Sequence, residues 1–172
     1  MRPFFLLRME QPGKKQIGRY LRYKLAFERL DEALEEGWLL EAISLEESII
    51  SDRLLSAIQS LTGKKSLKMN FNKLINQTKE TFVASGGDPE ANLFDRLHQW
   101  RRARNECVHA FCKLDDHAYS ENSAEIFSEK IWETAKKGRE LVDLVKHLSC
   151  AVKSELHKEG SSIHTNSVSL ST

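Results

Sequence analysis

The scarcity of proline constrains the fold of this chain more than any other feature of its sequence. The 172 residues contain three prolines, at positions 3, 12 and 89, and eight glycines. Proline ends or bends a helix, so the long stretches on either side of position 89 can form continuous helices. Apolar residues in those stretches recur every three or four positions, which is the period of a helix face. We therefore predict an all-α protein, an antiparallel bundle of about five helices.

One domain is expected over residues 15–157, since a chain of this length can bury a single hydrophobic core. Residues 1–14 form an arm whose apolar run at 4–7 is too short for a signal peptide or a membrane span. Residues 158–172 are rich in Ser and Thr with few large apolar side chains, and we expect this tail to be disordered. The sequence therefore predicts a protein that does not contact a membrane.

Apolar spacing and turn residues set the expected bounds of the five helices. The apolar residues expected to face inward are Ile17, Tyr20, Leu21, Phe27, Leu30 and Leu34 in the first helix and Leu39, Ile43, Ile50, Leu54, Ala57 and Leu61 in the second. Asp88, just before a proline, would cap the fourth. Gly138 lies in the middle of the fifth, where it would permit a close helix crossing or a slight bend. The predicted helices cover residues 15–36, 39–61, 67–83, 89–112 and 124–156.

Charge and cysteine usage exclude several classes of protein. The net charge of +1 argues against a globally basic nucleic-acid coat, so any contact with RNA or DNA requires a local basic patch. Cys107, Cys112 and Cys150 lack the paired spacing that a zinc site needs. Reduced thiols in a cytoplasmic protein fit this pattern best. We expect no metal and no other cofactor.

A permanent cation interrupts the apolar face of the predicted fourth helix. Arg104 occupies a position where the spacing from Leu97 and Trp100 calls for a hydrophobic residue. Asn105 and His109, four residues apart, lie on the adjacent face. These side chains can bind a phosphodiester and transfer its protons without a metal. We therefore take Arg104, Asn105 and His109 as the candidate catalytic residues.

The two ends of this group point in different directions. Five residues of helix turn through roughly 500°, so Arg104 and His109 diverge by about 140°. The long Arg side chain can bridge that divergence if a ligand sits at the helix flank. Alternatively, two copies of the helix face each other across a dimer axis, and each Arg meets the partner's His109.

Two charged residues also interrupt the apolar stripe of the second helix. Glu46 and Arg53 lie seven residues, or two turns, apart. We expect Glu46 to face the fourth helix and to orient Arg104, or to pair with Arg53. An ion pair with Glu46 that only fixes helix register is the alternative to a catalytic Arg104. Arg101 and Arg102 form either a weak RNA-binding ridge or a solvated face.

The fourth helix resembles the motif of the HEPN superfamily, helical nucleases of toxin–antitoxin, abortive-infection and other antiviral defence systems. In that family an Arg, commonly followed by Asn, Asp or His, precedes a His by a few residues. The second helix also looks like the family's long early helix, so the resemblance in architecture covers about residues 15–157. The motif residues here are Arg104, Asn105, Glu106, Cys107, Val108 and His109.

The resemblance implies a metal-independent endoribonuclease that works as a dimer formed through the motif helix. RNA carries its own nucleophile, the 2′-hydroxyl, so the enzyme needs a proton acceptor, a proton donor and cations around the phosphate. His109 would transfer protons and Arg104 would hold the phosphate. Asn105 would orient His109 or donate to a nonbridging oxygen. The products would carry 2′,3′-cyclic phosphate and 5′-hydroxyl ends.

Other readings stay open beside the nuclease. In HEPN toxins paired with a nucleotidyltransferase antitoxin, a Tyr that is adenylylated often follows the motif His by two residues. That position is Phe111 here, which has no hydroxyl to modify, so adenylylation at this site is excluded and neutralisation through direct binding of an antitoxin or regulatory partner stays open. Glu106 and the near-neutral charge also suit a catalytically silent helical dimer that binds a protein or nucleic acid. A metal site at His98, His109 and Cys112 would lack a fourth ligand.

Overall fold

Five helices make up all the regular structure in the part of the chain that the computed structural model describes. The described residues are 14–64, 68–88, 92–110 and 123–166. The all-α prediction is confirmed, with no strand in those ranges. The helices are α1 (Lys14–Glu35), α2 (Leu39–Thr62), α3 (Phe71–Ala84), α4 (Leu93–Ala110) and α5 (Ser123–Asn166).

The core is built around α2. This helix packs most extensively against α5 and also against α1 and α3, while α4 packs against α5 and α3. Its apolar residues at helical spacing, including Ile43, Ile50 and Leu54, are completely buried. Val142 and Val145 of α5 are equally inaccessible. Each fully buried side chain of this size contributes about 1.5–3 kcal/mol, so the contact between α2 and α5 dominates the stability of the fold.

Two helix starts differ from the prediction. Asn70 caps α3 by accepting a hydrogen bond from the Lys73 amide at 2.9 Å, so that helix begins at Phe71. The predicted start of α4 at residue 89, with Asp88 as its cap, is wrong, because α4 begins at Leu93. Asn92 precedes it with a φ of 69°, a left-handed conformation that asparagine tolerates better than most residues. A capping signature in sequence therefore misplaced this start by about a helical turn.

The last helix is longer than predicted. The spacing placed its end near residue 156, with a disordered tail after it, whereas α5 continues to Asn166. A helix anchored by packing adds residues without a new nucleation step, and no proline follows to stop it. Residues 158–166 are therefore helical, and residues 1–13 and 167–172 lie outside the described part.

The first helix departs from prediction along its N-terminal half. Leu30 is buried against α2, as the spacing indicated, but Ile17, Tyr20 and Leu21 are 46%, 68% and 50% exposed. Leu25 is 63% exposed on the same side. The apolar residues of α1 thus form two faces, and the described residues cover only the one toward α2.

The tryptophans occupy two kinds of environment. Trp100 is buried, whereas Trp38 and Trp132 are about half exposed. Arg29 lies over the Trp38 ring and Lys136 over the Trp132 ring, so cations cover part of each exposed indole.

Among the helices of the described residues, none combines the length and apolar character that crossing a bilayer requires.

Candidate functional site

Contacts with α5 hold the motif helix α4 in place. The indole Nε1 of Trp100 donates a hydrogen bond to the Thr134 carbonyl oxygen at 2.9 Å. One side of α4 is buried, including Leu97 and Cys107, and the Cys107 thiol lies 3.5 Å from the Thr134 hydroxyl. Lys130 of α5 pairs with Glu106 at 2.5 Å. These contacts fix the rotation of α4 and so the directions in which the motif residues point.

The guanidinium of Arg104 is held on two sides. Its Nη1 donates to the Oδ1 of Asn105 at 2.8 Å, and its Nη2 donates to the carboxylate of Glu47 on α2. The side chains of Arg104 and Glu47 are each 22% exposed, so the pair lies at the edge of the bundle rather than in its core. The Nε of Arg104 is buried and has no hydrogen-bond partner among the described residues. The Arg104 guanidinium is thus held in one orientation by Asn105 and Glu47, and its Nε–H group is the one left unsatisfied.

His109 lies apart from that pair. It is exposed near the end of α4, and no hydrogen bond or ion pair joins it to another described residue. Arg104 and Asn105 therefore meet within one chain. No contact among the described residues joins Asn105 to His109, which it was expected to orient, and His109 is exposed on the same helix. An exposed imidazole is free to contact a ligand or a second protein molecule.

Glu46 does not contact Arg104, in contrast to the sequence-based expectation. The carboxylate that pairs with Arg104 belongs to Glu47, one residue further along α2. Arg53, the other expected partner of Glu46, lies with its guanidinium carbon 3.6 Å from the centre of the Tyr23 ring. Neighbouring residues on a helix point about 100° apart. Of these two neighbouring acids, Glu46 points into the core and Glu47 points toward α4. Sequence periodicity alone did not indicate which of them would reach Arg104.

The Glu46 carboxyl is completely buried where α2 and α5 cross. Neither of its oxygens has a hydrogen-bond partner among the described residues. It lies against Gly138, which is also buried; a Cβ added to that glycine would be 2.5 Å from the Glu46 Cδ and 2.7 Å from the Trp100 Nε1. The close crossing expected at Gly138 is therefore present, and Glu46 is part of it.

Burial controls the protonation of this acid. Desolvation raises the pKa of Glu46 to about 9, and the positive charge of Arg139 opposes the rise only in part. Glu46 is consequently a neutral acid near neutral pH. A neutral carboxyl cannot form an ion pair with Arg104 or Arg53, so its role in the described structure is in packing.

The folded state should lose stability with rising pH because of Glu46. The unfolded chain ionises this carboxyl near its ordinary pKa, whereas the folded chain keeps it protonated up to a pKa of about 9. The contribution is complete below the lower value, falls progressively as pH rises between the two values, and is gone above the higher one. From about pH 5 to about pH 8, the free energy of unfolding of Glu46→Gln should rise by roughly 2–4 kcal/mol relative to that of the wild type.

Urea denaturation of both proteins at several pH values checks this expectation. Glu80→Gln, at an exposed position of α3, serves as the control and should leave the pH dependence unchanged. Parallel pH profiles for the wild type and Glu46→Gln would contradict the assignment of a neutral buried acid.

Arg101 and Arg102 create a positive field on the side of α4 toward α3. Arg101 is half-buried and Arg102 is exposed. The pKa of His98 is lowered, mainly by desolvation and further by the charges of these two arginines. The His98 Nε2 and the Asn76 Oδ1 are hydrogen-bonded at 2.9 Å. The charges of Arg101 and Arg102 thus act on His98, on the part of α4 that lies next to α3.

Within the described ranges, no group of three or more His, Cys, Asp and Glu side chains is arranged to hold a metal ion. Phe111 and Cys112 lie outside those ranges. Glu47 is the site residue that the sequence did not indicate.

Comparison of the chain with protein-family models, with curated proteins and with solved structures finds no match.

Proposed function

We propose that this chain is a HEPN-type, metal-independent endoribonuclease, acting in a toxin or phage-defence setting. The observation that carries the proposal is the contact of Arg104 with Asn105 on α4, with an exposed His109 further along the same helix. A guanidinium, an amide and an imidazole on one rigid element are the groups that cleavage of a ribose phosphodiester requires.

In this proposal the phosphate binds at the Arg104 side chain. Glu47 and Asn105 hold the guanidinium in one orientation before substrate arrives, which lowers the entropic cost of binding. Since the Asn105 Oδ1 accepts from Arg104, its amide group is left to donate to a nonbridging phosphate oxygen. The planar guanidinium suits two phosphoryl oxygens at once.

Proton transfer then falls to His109. The 2′-hydroxyl attacks the adjacent phosphorus as its proton passes to a base, and the departing 5′-oxygen takes a proton from an acid. The bond from phosphorus to the 5′-oxygen breaks, leaving a 2′,3′-cyclic phosphate and a 5′-hydroxyl. Two chains facing each other through α4 would supply two imidazoles, one for each proton transfer.

Digestion of RNA without metal tests this proposal. The purified full-length chain is incubated in excess EDTA with a single-stranded and a structured RNA, and the ends of the products are identified. We expect new 5′-hydroxyl ends, labelled by a polynucleotide kinase without prior phosphatase, and cyclic phosphates on the other fragment. Replacing one ribose by deoxyribose at the cut site should block cleavage there. Products with 5′-phosphate ends would contradict 2′-hydroxyl attack.

A second function is favoured by the Arg104–Glu47 ion pair. Glu47 neutralises the motif arginine inside a single chain, which is how a purely structural arginine would behave. On this alternative the protein is a non-catalytic HEPN-like dimer that binds a protein or nucleic acid. Expression of the chain in a host distinguishes the two functions. Toxicity that Arg104→Ala and His109→Ala both remove supports the nuclease, whereas equal tolerance of all three proteins supports the adaptor.

A further inference from the structure

The outer face of α1 carries an apolar stripe that the described residues leave exposed. Ile17, Leu21 and Leu25 recur every four positions, and each is at least 46% exposed. At about 100° per residue, these three side chains lie within an arc of roughly 80° on one side of the helix. Tyr20, which is still more exposed, lies beside them. A contiguous apolar stripe of this kind is typical of a contact surface.

Cations flank the stripe on both sides. Counted around the helix from Leu21, Lys24 lies about 60° to one side and Arg22 about 100° to the other. Both side chains are exposed. The Nζ of Lys24 is 3.6 Å from the Glu28 carboxylate, and the Nε of Arg22 donates to the Gly18 carbonyl oxygen at 3.3 Å. Such surface contacts have little energetic weight, so both cations can turn to an anionic partner.

Positive charge is concentrated in this part of the sequence. Residues 1–25 contain seven basic residues and one acidic residue, although the net charge of the whole chain is only +1. The remainder of the chain is therefore net negative. The basic residues are Arg2, Arg8, Lys14, Lys15, Arg19, Arg22 and Lys24, and the acidic one is Glu10. Such a charge asymmetry indicates a segment that meets an anionic surface or a polyanion.

We propose that the N-terminal half of α1 docks this protein on anionic membrane surfaces. A helix of this type lies along the interface, with its apolar side about 5–10 Å into the boundary between headgroups and acyl chains. Ile17, Leu21 and Leu25 enter that boundary. The long side chains of Lys24 and Arg22 extend from the flanks to the lipid phosphates.

The apolar residues favour lipid over the other anionic partners. An RNA backbone would attract the same cations, but it offers no apolar surface for the aliphatic side chains between them. The combination also recurs in sequence before α1, where the apolar run at 4–7 lies between Arg2 and Arg8. A fluid lipid surface accepts both segments without a complementary shape, which a folded acidic protein would have to supply.

The acidic half of α1 determines how the helix lies on the membrane. Glu28 follows Leu25 by less than one turn, Glu32 follows one turn later, and both acids are exposed. Lipid phosphates repel them, so we expect a tilted helix with its N-terminal end nearest to the lipid. The sequence predicted no membrane contact, but it also assigned this face of α1 to the core. The contact requires no spanning helix and does not depend on the proposed cleavage of RNA.

Co-sedimentation of the full chain with lipid vesicles tests the proposal. Vesicles of phosphatidylcholine alone are compared with vesicles that also contain phosphatidylglycerol. We expect binding to the anionic vesicles only, and added salt should weaken it. Leu21→Ser/Leu25→Ser should weaken binding by about tenfold. Arg22→Gln/Lys24→Gln should weaken it by about 30-fold, since each cation near an anionic surface contributes a factor of about five.

Matched variants on other parts of the chain separate this face from general adhesion to lipid. Val83→Ser/Ile126→Ser removes two exposed apolar side chains, from α3 and α5. Lys68→Gln/Lys73→Gln removes two exposed cations, before and within α3. Both control variants should bind anionic vesicles as the wild type does. All the substituted positions are exposed, and circular dichroism checks that each variant is folded.

Other outcomes would overturn the proposal. Equal binding to the neutral vesicles would show that the cations play no part. Binding that neither α1 variant weakens takes place through another surface. A chain that binds neither kind of vesicle has no lipid-docking face. If that chain binds single-stranded RNA, and Arg22→Gln/Lys24→Gln weakens this binding while Leu21→Ser/Leu25→Ser does not, the cations belong to an RNA-binding surface instead.

Discussion

Gly138→Ala is expected to lower the free energy of unfolding by about 2–4 kcal/mol, although the same exchange in an open helix raises it. The new methyl group would lie 2.5 Å from the Glu46 Cδ and 2.7 Å from the Trp100 Nε1, so one helix must shift. Trp100 is fixed by its hydrogen bond to Thr134, and Glu46 is completely buried. Urea denaturation followed by circular dichroism measures the loss.

Two further variants make this expectation specific. Gly18 is also helical and has no atom within 4 Å of an added Cβ, so Gly18→Ala should stabilise the chain by about 0.5–1 kcal/mol. Glu46→Ala removes the carboxyl that the Gly138 methyl group would strike. The double variant Glu46→Ala/Gly138→Ala should therefore be more stable than the sum of the two single effects predicts. Additive effects would show that the crossing of α2 and α5 is not as close as the structure has it.

Periodicity in sequence predicted the buried face of α2 and failed at the outer face of α1, which the described residues leave exposed. The stripe of α2 that includes Ile43, Ile50 and Leu54 is repeated at helical spacing and is buried as expected. The stripe at Ile17, Tyr20 and Leu21 has the same period, yet it is exposed. An apolar face requires a cover, and the spacing of residues does not indicate whether that cover belongs to the same chain.

The candidate site was predictable to a similar degree. The hydrogen bond between Arg104 and Asn105 joins neighbours in the chain. Consecutive helix residues point about 100° apart, so the spacing alone did not predict this contact. The pairing of Arg104 with Glu47 joins residues on two helices and depends on the rotation of each about its axis. That rotation is fixed by contacts such as Trp100 with Thr134, which no single segment of the sequence encodes.

His109→Ala is expected to reduce metal-free RNA cleavage by about 10²- to 10⁴-fold, the usual contribution of a proton-transferring group. Its melting temperature should match that of the wild type, because His109 is exposed and no contact holds it to another described residue. His147→Ala, at an exposed histidine of α5, is the matched control and should cleave RNA at the wild-type rate.

Arg104→Ala should reduce cleavage as strongly and should also cost about 1 kcal/mol of stability, since Glu47 loses its partner at a half-buried position. Arg104→Lys keeps the charge but loses the planar fork, so we expect most of the stability and little of the cleavage to remain. Cleavage rates and melting temperatures of the same preparations separate the two effects. If Arg104→Ala lost stability while both variants cut RNA at the wild-type rate, the arginine would hold α4 to α2 and take no part in chemistry.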